Sequence, residues 1–133
     1  MILIIGGAFQ GKRKFAQQLV KNEETKEADI LWCDGSSEDW ETFCQSFYCF
    51  HLPDMTARRM KEEGFLGAEA FVRRLLEKNP QKVIVGEEIG SGIIPMNLFE
   101  RKWREETGRI YCLLAEKASQ VWRVTGGIGQ RIK

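Results

Sequence analysis

Gly6, Gly11 and Lys12 stand in register with seven of the eight positions of G-x-x-x-x-G-K-[ST], a spacing that cradles phosphate. Consecutive backbone N–H groups in such a loop converge on one anion, and the following helix adds partial positive charge. Glycine lets the backbone approach where a Cβ would block it. Lys12 is placed to reach the outer phosphates. The eighth position departs from the pattern: Arg13 stands where a Ser or Thr hydroxyl would meet Mg²⁺. A guanidinium pairs with phosphate but does not ligate a metal. Gly6, Gly7, Ala8, Phe9, Gln10, Gly11, Lys12 and Arg13 therefore form the candidate triphosphate-binding loop. The alternative is a plain strand-to-helix turn that contains Gly and Lys.

Two further places could carry chemistry. Asp34 closes the apolar run Ile30-Leu31-Trp32-Cys33, and α/β proteins put ligand-facing side chains at the ends of such strands. It could equally be a turn or capping residue. Glu87 and Glu88 follow the expected strand over 82–86 and open a glycine-bearing loop, Ile89-Gly90-Ser91-Gly92. A carboxylate there could orient a hydroxyl nucleophile or approach Mg²⁺; the plainer reading is a polar turn. Glu88 is the candidate catalytic partner of Lys12. His51, the one histidine, sits beside Pro53 and is read as structural.

These residues need a scaffold that brings strand ends together. Met1 to Ile5 is a five-residue apolar run ending in Gly-Gly, as in a buried strand. Phe15, Ala16, Leu19 and Val20 recur at helical spacing, which predicts a helix over 11–22. A charged connector over 23–27 leads to a second strand over 30–33. A helix from Ser37 and Asp39 is expected to run through Phe43 and Phe47, with Trp40, Tyr48 and Phe50 supplying core or an oligomer interface. Pro53 is expected to break that helix, leaving 55–61 as a short basic helix or loop with Arg58, Arg59 and Lys61 solvated. Helices over 64–79 and from Asn97 onward flank a strand over 82–86, and Gly108 inside the last helix suggests close packing or a kink. Val121 to Val124 reads as a strand, and Gly126-Gly127 turns the chain into an antiparallel edge strand over 128–133. The expected fold is α/β: a mostly parallel sheet of about five strands flanked by helices, with a C-terminal hairpin, in one domain over 1–133.

Composition narrows the function classes. A net charge of +1 in 133 residues provides no basic field for nucleic acid. No apolar run approaches bilayer length, and the first residues lack a secretory pattern, so no membrane partner and a cytoplasmic setting are expected. Cys33, Cys44, Cys49 and Cys112 show no metal-ligand rhythm and read as reduced thiols.

The segments ILIIGGAFQGKRKFAQQL and VIVGEEIGSGIIPMNLFERKWREETGRIYCLLAEKASQVWRVTGGIGQRIK together resemble the adenosylcobinamide kinase/adenosylcobinamide-phosphate guanylyltransferase family of cobalamin biosynthesis. The second carries the resemblance through its run at 88–95, Trp103-Arg104, Gly108-Arg109 and the closing GIGQRIK. The resemblance implies a P-loop domain that uses ATP or GTP to phosphorylate the hydroxyl of a corrinoid precursor. It implies that residues 6–12 hold the triphosphate, that Asp34 contacts the nucleotide, and that Glu88 sits near metal or substrate. It also implies a homo-oligomer. The family's second reaction passes GMP through a histidine in a longer middle section; here that section is short and His51 stands in another context, so the kinase half is the one implied. The alternative is a nucleotide- or corrinoid-binding assembly protein without turnover, favoured by Arg13.

Overall fold

The computed structural model describes residues 1–21, 26, 29–89 and 97–133. The expected connector over 23–27, apart from Lys26, and the loop over 90–96 lie outside them. Among the described residues six strands form one sheet: β1 (Ile2–Gly6), β2 (Trp32–Asp34), β3 (Tyr48–Phe50), β4 (Val83–Glu87), β5 (Gln120–Thr125) and β6 (Ile128–Arg131). Their order is β2-β3-β4-β1-β5-β6. All pairings are parallel except that of β5 with β6, which forms the expected edge hairpin.

Side-chain alternation along the central strands sorts the helices into two layers. Ile4, Val83, Val85 and Val124 face α1 (Lys12–Val20), which docks through Ala16, Phe15 and Leu19. Leu3, Ile84, Cys33, Cys49 and Val121 face the opposite layer. That layer holds α2 (Trp40–Gln45), α3 (Leu52–Lys61), α4 (Ala68–Glu77) and α5 (Leu98–Lys117). Phe43, Leu52, Met55, Leu75, Ile110 and Leu114 fill its core.

The sheet has one strand more than expected. The helix expected to reach Phe47 ends at Gln45, where Ser46 turns to extended geometry and bonds the Thr42 carbonyl through its hydroxyl at 2.7 Å. The next three residues, Tyr-Cys-Phe, enter the sheet between β2 and β4. Because β3 is only three residues long and β2 is an edge strand, β2 can pair only over Trp32–Asp34. That shifts the strand expected at 30–33, and Leu31 is exposed.

Pro53 does not end a helix; it occupies the first turn of α3, where its missing N–H costs nothing. The basic residues of α3 are also more engaged than solvated. Arg58 donates to the carbonyls of Gly35 (3.0 Å) and Glu38 (2.6 Å), and Arg59 lies over the Trp40 ring. Lys61 is exposed but lies over the Phe99 ring. Gly108 is exposed, with open space where a Cβ would sit, so close packing is not its role.

Three thiols and one lysine lie in the α2–α5 side of the core. Lys82 is fully buried, and its Nζ donates to the carbonyls of Phe43 and Ser46, placing a cation at the end of α2. Burial raises the Cys33 thiol, pushes Cys44 up to about 11 and pushes Cys49 up to about 12, with Lys82 opposing each rise. Cys112 alone is exposed. Iodoacetamide at pH 8 is therefore expected to alkylate Cys112 rapidly in the native protein. The other three thiols should react only after denaturation, as read by mass spectrometry.

Candidate functional site

The chain leaves β1 toward β2 on one side of the sheet and later returns to place β5 on the other, so β1 marks the switch point. Its carboxyl end runs into the candidate loop. Gly6 is buried, and its carbonyl accepts the Glu88 N–H at 2.9 Å, which ties the loop to the end of β4. Phe9 adopts a left-handed conformation (φ 58°) and is fully exposed, as is its neighbour Ala8 to a lesser degree. Gly11 is also left-handed (φ 81°) and caps α1 with no side chain.

The β5–β6 turn clasps this loop from outside. Gly127 N–H donates to the Gln10 carbonyl at 2.8 Å, and Gly126 N–H donates to Gln10 Oε1 at 2.7 Å. Gly127 Cα lies 3.3 Å from where a Cβ on Gly11 would be. Phe15 fills the space beside Gly129, so the hairpin seats against both the loop and α1. The GIG tail and the candidate loop, far apart in sequence, are one packed unit.

The opening of α1 runs against ordinary helix design. Its first turn holds Lys12, Arg13 and Lys14 and no acidic residue, although a helix N-terminus already carries partial positive charge. Lys12 is buried and its Nζ donates to the Gly7 carbonyl at 2.6 Å. Burial draws its pKa below the ordinary lysine value, while the carboxylates of Glu87 and Glu88 oppose the drop. The Arg13 guanidinium lies 4.3 Å over the Phe50 ring. These cations line a cavity of about 660 Å³, within the roughly 300–1,000 Å³ of small-molecule pockets.

The facing wall is acidic and holds the histidine. Glu87, at the end of β4, and Asp54, in the first turn of α3, line the same cavity with His51. Glu88 does not: its carboxylate pairs with Arg123 of β5, at 2.9 Å to Nε and 3.2 Å to Nη2. Alternation past β4 thus turns Glu87 inward and Glu88 toward β5. Tyr111 of α5 anchors this end of the strand, donating to the Glu87 carbonyl at 2.6 Å over Gly86.

Asp34 sits behind the cavity wall rather than on it. Its Oδ1 accepts from Ser36 N (2.8 Å), Ser36 Oγ (2.7 Å) and the His51 ring. Burial raises its carboxyl, but the hydrogen bonds from Ser36 and His51 outweigh that and hold it below the usual aspartate value. His51 follows β3, stands in left-handed geometry (φ 56°, ψ 48°), and directs Nδ1 to Asp34 at 2.9 Å. Its Nε2 lies 3.7 Å from Glu87 Oε1. Sequence reasoning passed over His51 because the strand before it is three residues long and unpunctuated. The signal available was a histidine just before a proline-led helix, at a strand end level with Asp34.

The fit to a triphosphate and to Mg²⁺ differs. Lys12 and Arg13 supply donors and positive charge on one wall. A magnesium ion would find no hydroxyl at position 13, and among the described residues no group of three or more His, Cys, Asp or Glu side chains could hold a metal. The residue set does not fit the usual Mg²⁺ seat of a phosphate loop.

The model of the family described as cobinamide kinase / cobinamide phosphate guanyltransferase matches residues 51–132. The chain is 43% identical over 58 residues to the "Bifunctional adenosylcobalamin biosynthesis protein CobU" of Salmonella typhimurium strain LT2. It is 41% identical over 58 residues to the protein of that name in Escherichia coli strain K12. Each match covers 43% of this chain and 32% of the relative, so the chain matches less than half the length of these proteins. The family match runs from the His51 corner to the hairpin that clasps the candidate loop and takes in more than half of the residues, and the chain belongs to the cobinamide kinase / cobinamide phosphate guanyltransferase family.

Proposed function

We propose that this chain is a nucleotide-dependent phosphotransferase of the cobinamide kinase type. It binds the phosphates of ATP or GTP on residues 6–13 and passes a phosphoryl group to a corrinoid-precursor hydroxyl in the same cavity. One observation carries the reading. Three consecutive cations open α1 with no acid in the first turn, above a cavity whose far wall is acidic. Such a cluster destabilises a free helix terminus and is explained by an anion that occupies it.

The residues divide the work by position. Lys12 leaves the Gly7 carbonyl for the outer phosphates and stabilises charge developing on the transferred group. Arg13, supported on Phe50, supplies a second fixed cation where a metal-bound hydroxyl would otherwise stand. The hairpin clasp on Gln10 keeps the loop amides preorganised. The acidic wall with His51 is left to meet the hydroxyl. The buried free thiols suit a reducing, cytoplasmic setting, and a homo-oligomer fits the same reading.

The direct test is transfer of ³²P from γ-labelled ATP or GTP to adenosylcobinamide. Labelled corrinoid is the expected product; labelled free phosphate alone, or no release, contradicts the reading. Arg13 itself favours a second reading, binding without turnover. Arg13→Ser separates the two. Under the phosphotransferase reading, the variant should bind ATP roughly 10-fold more weakly in EDTA, through loss of a charge-assisted contact, and recover affinity with Mg²⁺ in calorimetry. Transfer that appears only in Arg13→Ser would establish the second reading instead.

A further inference from the structure

We infer that His51 is the proton acceptor for the attacking hydroxyl, held in a single tautomer by Asp34; the assignment rests on the phosphotransferase reading. The backbone supplies the first reason. His51 is one of two non-glycine residues at positive φ among the described residues, and the other, Phe9, lies on the rim of the same cavity. Such geometry in a non-glycine residue persists where the surroundings impose it, and it gathers at functional sites. His51 stands at the N-cap position of α3, yet its side chain caps nothing there. The ring is committed to Asp34.

The second reason is the tautomer. Asp34 already accepts from Ser36 twice and is held as a carboxylate, so the 2.9 Å contact requires His51 Nδ1 to carry the hydrogen. The neutral ring then offers its lone pair at Nε2. That nitrogen lies 3.7 Å from Glu87 Oε1, too far for a hydrogen bond, so its lone pair stays open toward the cavity. The ring packs on Phe50 with centroids 4.5 Å apart, and Phe50 also carries Arg13. The base and the phosphate-binding cation therefore share one aromatic support.

The charged groups around the ring come from every neighbouring element. Asp34 belongs to β2 and Glu87 to β4; Lys12 and Arg13 of α1 and Asp54 of α3 line the same cavity. In the transfer step, Nε2 takes the proton as the hydroxyl oxygen forms its bond to the γ-phosphorus. The bond from that phosphorus to the bridging oxygen breaks, and the nucleoside diphosphate leaves with the electron pair. The imidazolium stands between Asp34 and Glu87 and returns its proton to water. No further reactant is needed beyond the triphosphate and the hydroxyl.

Because the chain has one histidine, a sample labelled with ¹⁵N-histidine gives one imidazole spin system. Long-range ¹H–¹⁵N correlation of the free protein is expected to show the Nδ1–H tautomer, with Asp34→Asn shifting the ring toward the Nε2–H form. His51→Gly keeps a residue suited to φ 56° and opens space for a small base. It should bind ATP within about twofold of wild type by calorimetry. Its kcat with ATP and adenosylcobinamide should drop about 10²–10⁴-fold and recover in part with added imidazole. An Nε2–H tautomer in the wild type, an unchanged kcat in His51→Gly, or an acid-labile phosphoryl or nucleotidyl adduct on His51 would overturn the assignment alone. Wild-type protein that binds ATP or GTP but transfers nothing would remove the phosphotransferase reading and this role with it, whatever the tautomer.

Discussion

Lys12→Ala is expected to weaken ATP and GTP binding by roughly 10- to 100-fold, the range of one lost charge-assisted contact to phosphate. The chain should stay folded. Among the described residues Lys12 Nζ donates to the Gly7 carbonyl, and that carbonyl sits at a half-buried loop. Its burial and the pull of Glu87 and Glu88 show a cation kept in place at a desolvation cost. Such a cost is understandable if the group meets an anion. Titration calorimetry of the variant, with circular dichroism to confirm the fold, checks both halves. Unchanged affinity would move the triphosphate off this helix.

A large loss of stability is expected from Gly6→Ala. A Cβ there would lie 2.4 Å from the Val124 carbonyl oxygen, a backbone atom of the neighbouring strand, and 3.3 Å from the Lys12 side chain. A flexible side chain could step aside; a strand carbonyl in the middle of the sheet cannot. Relief requires β1 and β5 to part where they pair over Ile2 to Ile5. We expect a loss of about 3 kcal/mol, at the upper end for an overpacked core, and a fall in Tm of roughly 10 °C. The same displacement would drag the loop from the hairpin turn, so affinity for triphosphate should fall as well. A variant with wild-type Tm would show that the sheet accommodates the methyl group.

The parts of the fold that were legible are those with length and punctuation. β1, the loop and α1 could be read because an apolar run meets Gly-Gly and then helical spacing. β4, α5 and the hairpin carried equally plain boundaries, and Asn97 does cap α5, accepting from Phe99 N and Glu100 N. β3 was not legible. Three residues give no periodicity, and Trp40, Phe43 and Phe47 continued a helical pattern across its start. The aromatic side chains that suggested a helix serve partly as sheet and partly as core.

The candidate site shows the same division. The candidate loop is a reading from spacing, open to the sequence because its residues are consecutive. His51 and Glu87 on the facing wall, and Asp34 behind it, come from three strand ends that converge only in the sheet order β2-β3-β4. With β3 missing from the expected fold, His51 had no strand end to stand on and could not be placed beside Asp34. Which of Glu87 and Glu88 faces the cavity depends on where β4 leaves its pleat and on Arg123 standing ready on β5. Neither is visible as local pattern. The clasp of Gln10 by Gly126 and Gly127 is likewise a contact between the two ends of the chain.

Amide mapping of the ¹⁵N-labelled wild-type protein, titrated with ATP and with GTP in EDTA and in Mg²⁺, tests the central claim most directly. The account predicts saturable shifts centred on residues 6–13, spreading to His51, Glu87 and the Gly126-Gly127 turn, with a substantial response before magnesium is added. No shift with either nucleotide, or shifts centred away from the opening of α1, would contradict it.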